Sequence, residues 1–297
     1  MPAPDSFELD RKLIRRRFAR AAATCGEAAV LAREVARRMD ERLDYIRIEP
    51  RRILDVGCGD GTDLERLAQR YPAAQRVGVD FALPMLERVA KNHNGLLSRL
   101  LRRHPPSPLL AGADACALPF GHASFSLAWS NLMLNWLTDP APALAEFHRV
   151  LEVGGLLMFS TLGPDTLREL RNALPDHYGE RVHRFIDMHD IGDALIKAGF
   201  ADPVMDMEVL TLTYATIDDL LRDLRLSGCT NASTARPRGL AGKAGWHAAR
   251  AALEGLRQDA RLPITFEVVQ GHAWKAAPKT IADGRSVVHF QPRAGKA

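Results

Sequence analysis

Three shortages narrow the field before any motif is read. The four cysteines, Cys25, Cys58, Cys116 and Cys229, are widely spaced and form no CxxC pair. Neither a disulfide framework nor a zinc site is expected, and a reducing cytoplasm fits. No apolar run of 18 or more residues exists, and the N-terminus lacks the apolar core of a secretory signal. A membrane span and export are therefore not expected. The start from Arg11 to Arg20 is rich in arginine like a mitochondrial presequence, but Asp5, Glu8 and Asp10 are out of place in one, so it reads as a helix of the mature protein. Aromatics make up only 6% of the chain and do not interleave with the basic runs, so nucleic acid is not an expected partner.

What is present is enzyme-sized. A chain of 297 residues with 46% hydrophobic content can bury one large core, or one core and an appended subdomain. The net charge of +4 is concentrated in arginines before residue 52 and between Arg99 and Arg103, which suits an acidic partner as well as it suits a solvated face.

Apolar residues recur at helical spacing from Arg11 to Leu43, predicting one or two amphipathic helices. An alternating rhythm follows: strand Ile53 to Val56, helix Leu64 to Gln69, strand Val77 to Val79, helix Leu83 to Lys91, strands Leu109 to Gly112 and Phe125 to Ser130, helix Pro142 to Leu151, strand Leu156 to Thr161. Such alternation predicts an α/β fold, a doubly wound and mostly parallel sheet. The segment Leu96 to Pro108 interrupts it as a basic, proline-stopped surface insertion. Later come helices Pro164 to Leu174, Ile191 to Ala198, Asp218 to Leu226 and Gly242 to Leu256, an alternating run Val204 to Thr213, and a strand Ile264 to Ala273 expected at the sheet edge. The chain accordingly divides into N-terminal lid helices (1–48), a ligand-binding core (49–162), a lid with the remaining sheet and helices (163–276) and a frayed tail (277–297).

Asp55-Val56-Gly57-Cys58-Gly59-Asp60-Gly61 places an acid at a strand end and three glycines at alternate positions. Glycines permit positive-φ turns and let a ligand press on bare backbone, at the carboxyl edge where such sheets bind ligands. A dinucleotide is a poor fit, because Asp60 and Asp63 would repel a diphosphate at the following helix N-terminus. No GK[ST] follows, which excludes a P-loop. Asp80, ending the second strand, can accept two ribose hydroxyls, though alone it reads equally well as a strand-end cap. Asp114, with Ala115 after the third strand, can receive an adenine amino group.

The ordered set Asp55, Gly57, Gly59, Gly61, Asp80 and Asp114, with Asp114 to Phe120 and Phe125 to Leu132, resembles the class I methyltransferases. The resemblance implies a seven-stranded Rossmann-like sheet and S-adenosylmethionine as cofactor, contacted by those residues together with Cys58, Phe81, Ala115, Ser130 and Asn131. Phe18-Ala19-Arg20-Ala21-Ala22, Ser130-Asn131-Leu132-Met133-Leu134-Asn135-Trp136 and Ser160 to Leu170 further resemble the malonyl-acyl-carrier-protein O-methyltransferases of biotin synthesis. That implies methyl ester formation on a malonyl carboxylate, an acyl-carrier-protein partner and a monomeric cytoplasmic enzyme. Such a carboxylate is already ionised near neutral pH, so no catalytic base is sought.

Arg184, in His183-Arg184-Phe185, stands where that family has an Arg-Phe pair, and a guanidinium there would select the malonyl carboxylate; the alternative is a surface arginine. Two departures stand out: Cys25 where many members carry a tyrosine, and the Arg99 to Pro108 insertion. The Gly163 to Leu170 segment also resembles a mitochondrial complex I assembly factor described as a protein arginine hydroxylase. Hydroxylation calls for a metal, and His177, His183, Asp187, His189 and Asp190 lack facial-triad spacing, so no metal is expected.

Overall fold

The computed structural model describes residues 7–93, 106–173, 180–237 and 243–277. The elements run in chain order as α1 (Arg11–Ala21), α2 (Val30–Arg42), β1 (Arg52–Val56), α3 (Thr62–Arg70), β2 (Gln75–Asp80), α4 (Leu83–His93), β3 (Leu109–Gly112), β4 (Phe125–Ser130), a 3-10 turn (Leu134–Trp136) and α5 (Ala141–Val150). They continue with β5 (Leu151–Leu162), α6 (Arg168–Asn172), α7 (Met188–Lys197), β6 (Ala201–Tyr214), α8 (Ile217–Leu226), α9 (Lys243–Glu254) and β7 (Leu262–Trp274). Most of the basic insertion and the C-terminal tail lie outside the described residues.

The strands form one seven-stranded sheet in the order β3-β2-β1-β4-β5-β7-β6. The first five pair in parallel, and β7 alone is reversed, pairing antiparallel with both β5 and β6. Side-chain alternation splits the core between two faces. On one, Ile53, Leu127, Trp129 and Met158 pack with Val35 and Met39 of α2; on the other, Leu54, Val77, Ala128 and Leu157 pack with Leu144 and Phe147 of α5 and Ile191 of α7. Burying each such large side chain contributes about 1.5–3 kcal/mol, so the sheet holds its edge loops on a rigid base.

One expectation is overturned. β7 does not lie at the sheet edge but between β5 and β6, and β6 is the edge strand. Polar residues on β7 suggest a wet face, yet Thr265, Glu267 and Gln270 are buried and bonded: Thr265 to Glu169, Glu267 to the Asp165 N–H (2.6 Å), and Gln270 to Glu208 (2.9 Å). The helix expected from Pro164 to Leu174 is also shorter. Leu167 takes φ +57° and its N–H donates to the Thr265 carbonyl, so helix begins only at Arg168.

Candidate active site

The strand order reverses between β1 and β4, and a cleft of about 560 Å3 opens at the carboxyl ends of these strands. Open parallel sheets bind ligands at such a switch point. Residues of α1, α2, α8 and the 180–185 segment complete its walls, including Phe18, Ala32, Leu224 and His183.

The floor is the turn after β1. The Gly57 and Cys58 N–H groups both donate to the Val79 carbonyl (2.8 and 3.0 Å), which fastens the turn to β2. Gly57 has φ +81°, and a Cβ there would stand 2.7 Å from Met133 Cγ. Gly59, at φ +52°, faces open space: nothing lies within 4 Å of its missing Cβ. Bare backbone therefore borders the cleft where a ligand can approach it.

Carboxylates dominate this end. Asp80 accepts from the Gly59 N–H (3.1 Å) and the Ala82 N–H (2.8 Å), and burial nevertheless pushes its carboxyl above the usual range. Asp63, in the first turn of α3, accepts from Trp129 Nε1 and Asn131 Nδ2 (both 3.0 Å); its pKa too is raised, by burial. Asp55 lies beneath the turn, 1% exposed, and its Oδ2 has no hydrogen-bond partner. Burial first, then the charges of Asp63, Asp80 and Asp60, raises its pKa well above the normal carboxylate value. Carboxylates crowded and buried in this way are costly unless a cationic ligand completes the site. These groups fit the amino-acid end of a sulfonium nucleoside.

At the outer rim, Asp114 pairs with Arg11 and accepts from the Cys116 N–H (2.9 Å); burial raises its pKa, but these two donors outweigh it and the net shift is downward. Gly57, Cys58, Gly59, Asp80, Phe81, Asp114, Ala115 and Asn131 all line the cleft. Asn131 also ties the walls together, donating to the Ala32 carbonyl (3.0 Å) and accepting from Ser160 Oγ (2.8 Å). Three other expected residues stand behind the wall. Asp55 is below the turn; Gly61 starts α3 at φ +86°, close against Val89; Ser130 is fully buried and donates to the Val56 carbonyl (3.2 Å).

Arg184 is not brought to the cleft. Its side chain is 59% exposed and lies 3.6 Å from Glu180. The cleft is instead approached by its two sequence neighbours, His183 and Phe185, and by Arg17 from α1. The sequence reads Trp136 as core packing and Arg17 as part of a basic outer face, and the structure places both at the cleft. Their signal was present: Arg17 is the member of the Arg15-Arg16-Arg17 run on the same helical face as Leu13 and Ile14, and Trp136 closes a motif segment already singled out. Cys25 lines the cleft as well, with Sγ 3.9 Å from Met85 Sδ and a thiol pKa raised by burial. Among the described residues, no group of three His, Cys, Asp or Glu side chains could hold a metal ion; His177 lies outside them.

Comparisons with known proteins fit this architecture. A methyltransferase domain family matches residues 54–159, the β1 to β5 part of the sheet. The malonyl-acyl-carrier-protein O-methyltransferase of Laribacter hongkongensis is 49% identical over 98% of this chain and 99% of its own length. The chain belongs to that family. The family's member from Gallionella capsiferriformans is 47% identical over 96% of this chain and 97% of its own. Among solved structures, the YcgJ protein of Bacillus subtilis superposes with a TM-score of 0.58 at 14% identity, covering 83% of this chain and 100% of its own. A putative methyltransferase from Bacillus halodurans gives 0.55 at 16%, with 80% and 99% covered. At such identities these two structures speak to the fold. Membership of the methyltransferase family is carried by the full-length relatives, and it favours methyl transfer over hydroxylation.

Proposed function

We propose that this methyltransferase carries the methyl group of S-adenosylmethionine to the free carboxylate of malonyl-acyl-carrier protein, at the start of biotin synthesis in the cytoplasm. The observation that carries the cofactor reading is the unpaired, buried Asp55 carboxylate below a glycine turn whose neighbours Asp60, Asp63 and Asp80 face the cleft. The acceptor comes from the full-length relatives, which bear that substrate in their names.

S-adenosylmethionine supplies an electrophilic methyl group on a positively charged sulfur. The chain's task is to bind and align. Asp80 would take the ribose hydroxyls, Asp114 the adenine amino group, and Asp60 and Asp63, with the buried Asp55 charge behind them, the ammonium of the amino-acid end, on a bed of bare Gly57 and Gly59 backbone. A malonyl carboxylate needs no deprotonation, so positioning and exclusion of water carry the rate. Phe18, Met133 and Trp136 are apolar walls suited to stripping water from that carboxylate. Helices α1 and α2 and the segment after residue 162 act as the lid over the acceptor side.

Mass spectrometry of malonyl-acyl-carrier protein incubated with the enzyme and S-adenosylmethionine tests this, with Gly57→Arg as the blank. One methyl added by the wild type alone upholds the reading. Cofactor binding without transfer sinks the acceptor assignment. Restored growth without biotin, in a bacterium lacking its own malonyl-carrier methyltransferase, tests the place in metabolism.

A further inference from the structure

Aromatic rings form an arc along the cleft wall. Phe81, beside Asp80, lies 6.4 Å from Phe18; Phe18 meets Trp136 edge-on at 5.1 Å; Trp136 lies 5.3 Å from the His183 ring, and His183 lies 4.6 Å from Phe185. The arc therefore begins at the carboxylates that suit the cofactor and ends at a polar ring. With the Asn135 amide turned so that its oxygen accepts from Trp136 Nε1 (3.1 Å), the indole is fixed in this position.

His183 is the anomaly at the end of the arc. It lines the cleft, is only 4% exposed, and its buried Nε2 has no hydrogen-bond partner in the protein. An unsatisfied buried nitrogen is a penalty that a ligand can remove. The charges that act on its titration are positive. Burial first, then the positive charges of Arg171 and Arg17, lowers the imidazole pKa to about 4, so the ring is neutral at physiological pH. Both guanidiniums are held by backbone carbonyls: Arg17 by Thr230 (2.8 Å) and Arg171 by Pro164 (2.7 Å). The nearby Glu180 carboxylate is engaged by Ser233 Oγ and faces Arg184. The surroundings thus offer positive potential and one idle nitrogen.

We propose that His183 is the group that holds the acceptor's carboxylate, its Nε2–H donating to the carboxylate oxygen that is not methylated while Arg17 and Arg171 supply the favourable field. This rests on the malonyl-carrier reading above and names the residue that recognises the acid. A carboxylate only accepts hydrogen bonds, so the ring must carry its proton on Nε2. A neutral donor has an advantage over a guanidinium here: it orients the carboxylate without pairing so tightly with its charge that the oxygen loses nucleophilicity. The methyl ester product, having lost that charge, is released more readily from the arginine field.

Steady-state kinetics on malonyl-acyl-carrier protein should compare the wild type with His183→Phe, which keeps the ring stack, and His183→Gln, which restores an amide donor at similar reach. The proposal expects His183→Phe to lower kcat/KM by roughly 10- to 100-fold, mainly through KM, His183→Gln to recover most of it, and calorimetric S-adenosylmethionine affinity to stay unchanged. It also expects the His183 ring nitrogen, assigned in NMR spectra by its loss in His183→Gln, to shift with malonyl-pantetheine and not with its methyl ester. A His183→Phe enzyme as active as the wild type, or equal impairment of both variants, overturns the proposal. Should the wild type transfer no methyl to the carrier, the parent reading falls while the ring signal still decides: an acid-selective shift upholds the carboxylate contact, and equal or absent shifts overturn it.

Discussion

The two ends of the cleft solve opposite electrostatic problems. Near the glycine turn, Asp55, Asp63 and Asp80 are buried with their pKa values raised, so the empty site strains towards a cation. At the far end burial, and then two arginines, lower a histidine's pKa, and the arginines favour an anion. A methyl transfer from a sulfonium to a carboxylate needs both, some distance apart and screened from water. The comparison teaches that each end is unstable in the direction its ligand corrects, and the two should respond to substitution and to pH with opposite signs.

The largest effect expected is at the glycine turn. Gly57→Arg places a side chain where even a Cβ meets Met133 Cγ at 2.7 Å, in a backbone conformation that L-residues rarely adopt. Calorimetry should find S-adenosylmethionine affinity reduced by more than about 100-fold, with the circular dichroism of the fold retained. Near-normal affinity would mean the turn is not the cofactor cradle.

Next comes Asp55→Asn, which removes a buried charge and keeps the shape. The empty protein should gain on the order of 1–3 kcal/mol in urea melts at pH 8, while S-adenosylmethionine affinity drops about tenfold. The sign follows from linkage: a carboxyl whose folded pKa is raised binds more protons in the folded state than in the unfolded one. Its penalty is full at pH above the folded value and vanishes as pH falls towards the unfolded value. Wild type and variant should therefore differ most at high pH and converge on acidification. A variant less stable than the wild type at pH 8 would show that Asp55 is a structural acid.

The acid-rich end was far more legible in the sequence than the other. Backbone geometry demands glycine at Gly57 and Gly61, and parallel strands end in recognisable acids, so local residue type carried the information. The five parallel strands were legible for a similar reason: each is a short apolar run punctuated by turn residues. The place of strand β7 in the sheet was not, because its neighbours are chosen by distant segments. Thr265 and Glu267 look like an exposed stripe until Glu169 and the Asp165 N–H arrive to bond them. The far end of the cleft fails for the same reason. Arg17, Trp136, Arg171 and His183 come from four separate places in the chain, and nothing local distinguishes His183 from its neighbour Arg184, whose charge makes it the more obvious ligand.

A further effect, at the far end, is read from stability alone. With a folded pKa of about 4 against an ordinary 6.5, His183 binds fewer protons folded than unfolded between those values. Its contribution is intact above pH 6.5 and is lost as pH falls towards 4, a few kcal/mol at about 1.4 kcal/mol per unit. His183→Phe cannot take up that proton. Its Tm relative to the wild type should rise steadily from pH 7 to pH 4.5, opposite in direction to the trend at Asp55, where the variant's advantage shrinks on acidification. Parallel curves for wild type and His183→Phe would show that the imidazole is already charged or solvated in the folded protein.

The smallest effect expected is at Arg184, and it sharpens the distinction between this residue and its buried neighbour. Its guanidinium is exposed and faces Glu180 across 3.6 Å, and exposed pairs of this kind contribute about 0–1 kcal/mol. Arg184→Ala should shift stability by less than about 0.5 kcal/mol and leave kcat/KM for malonyl-acyl-carrier protein within about twofold. Its family position argues for carboxylate binding, while its place in this fold argues for solvent, and kinetics separates the two. A tenfold rise in KM would require the 180–185 segment to turn when the acceptor enters, bringing Arg184 inward and His183 out, and would exchange the roles of the two residues.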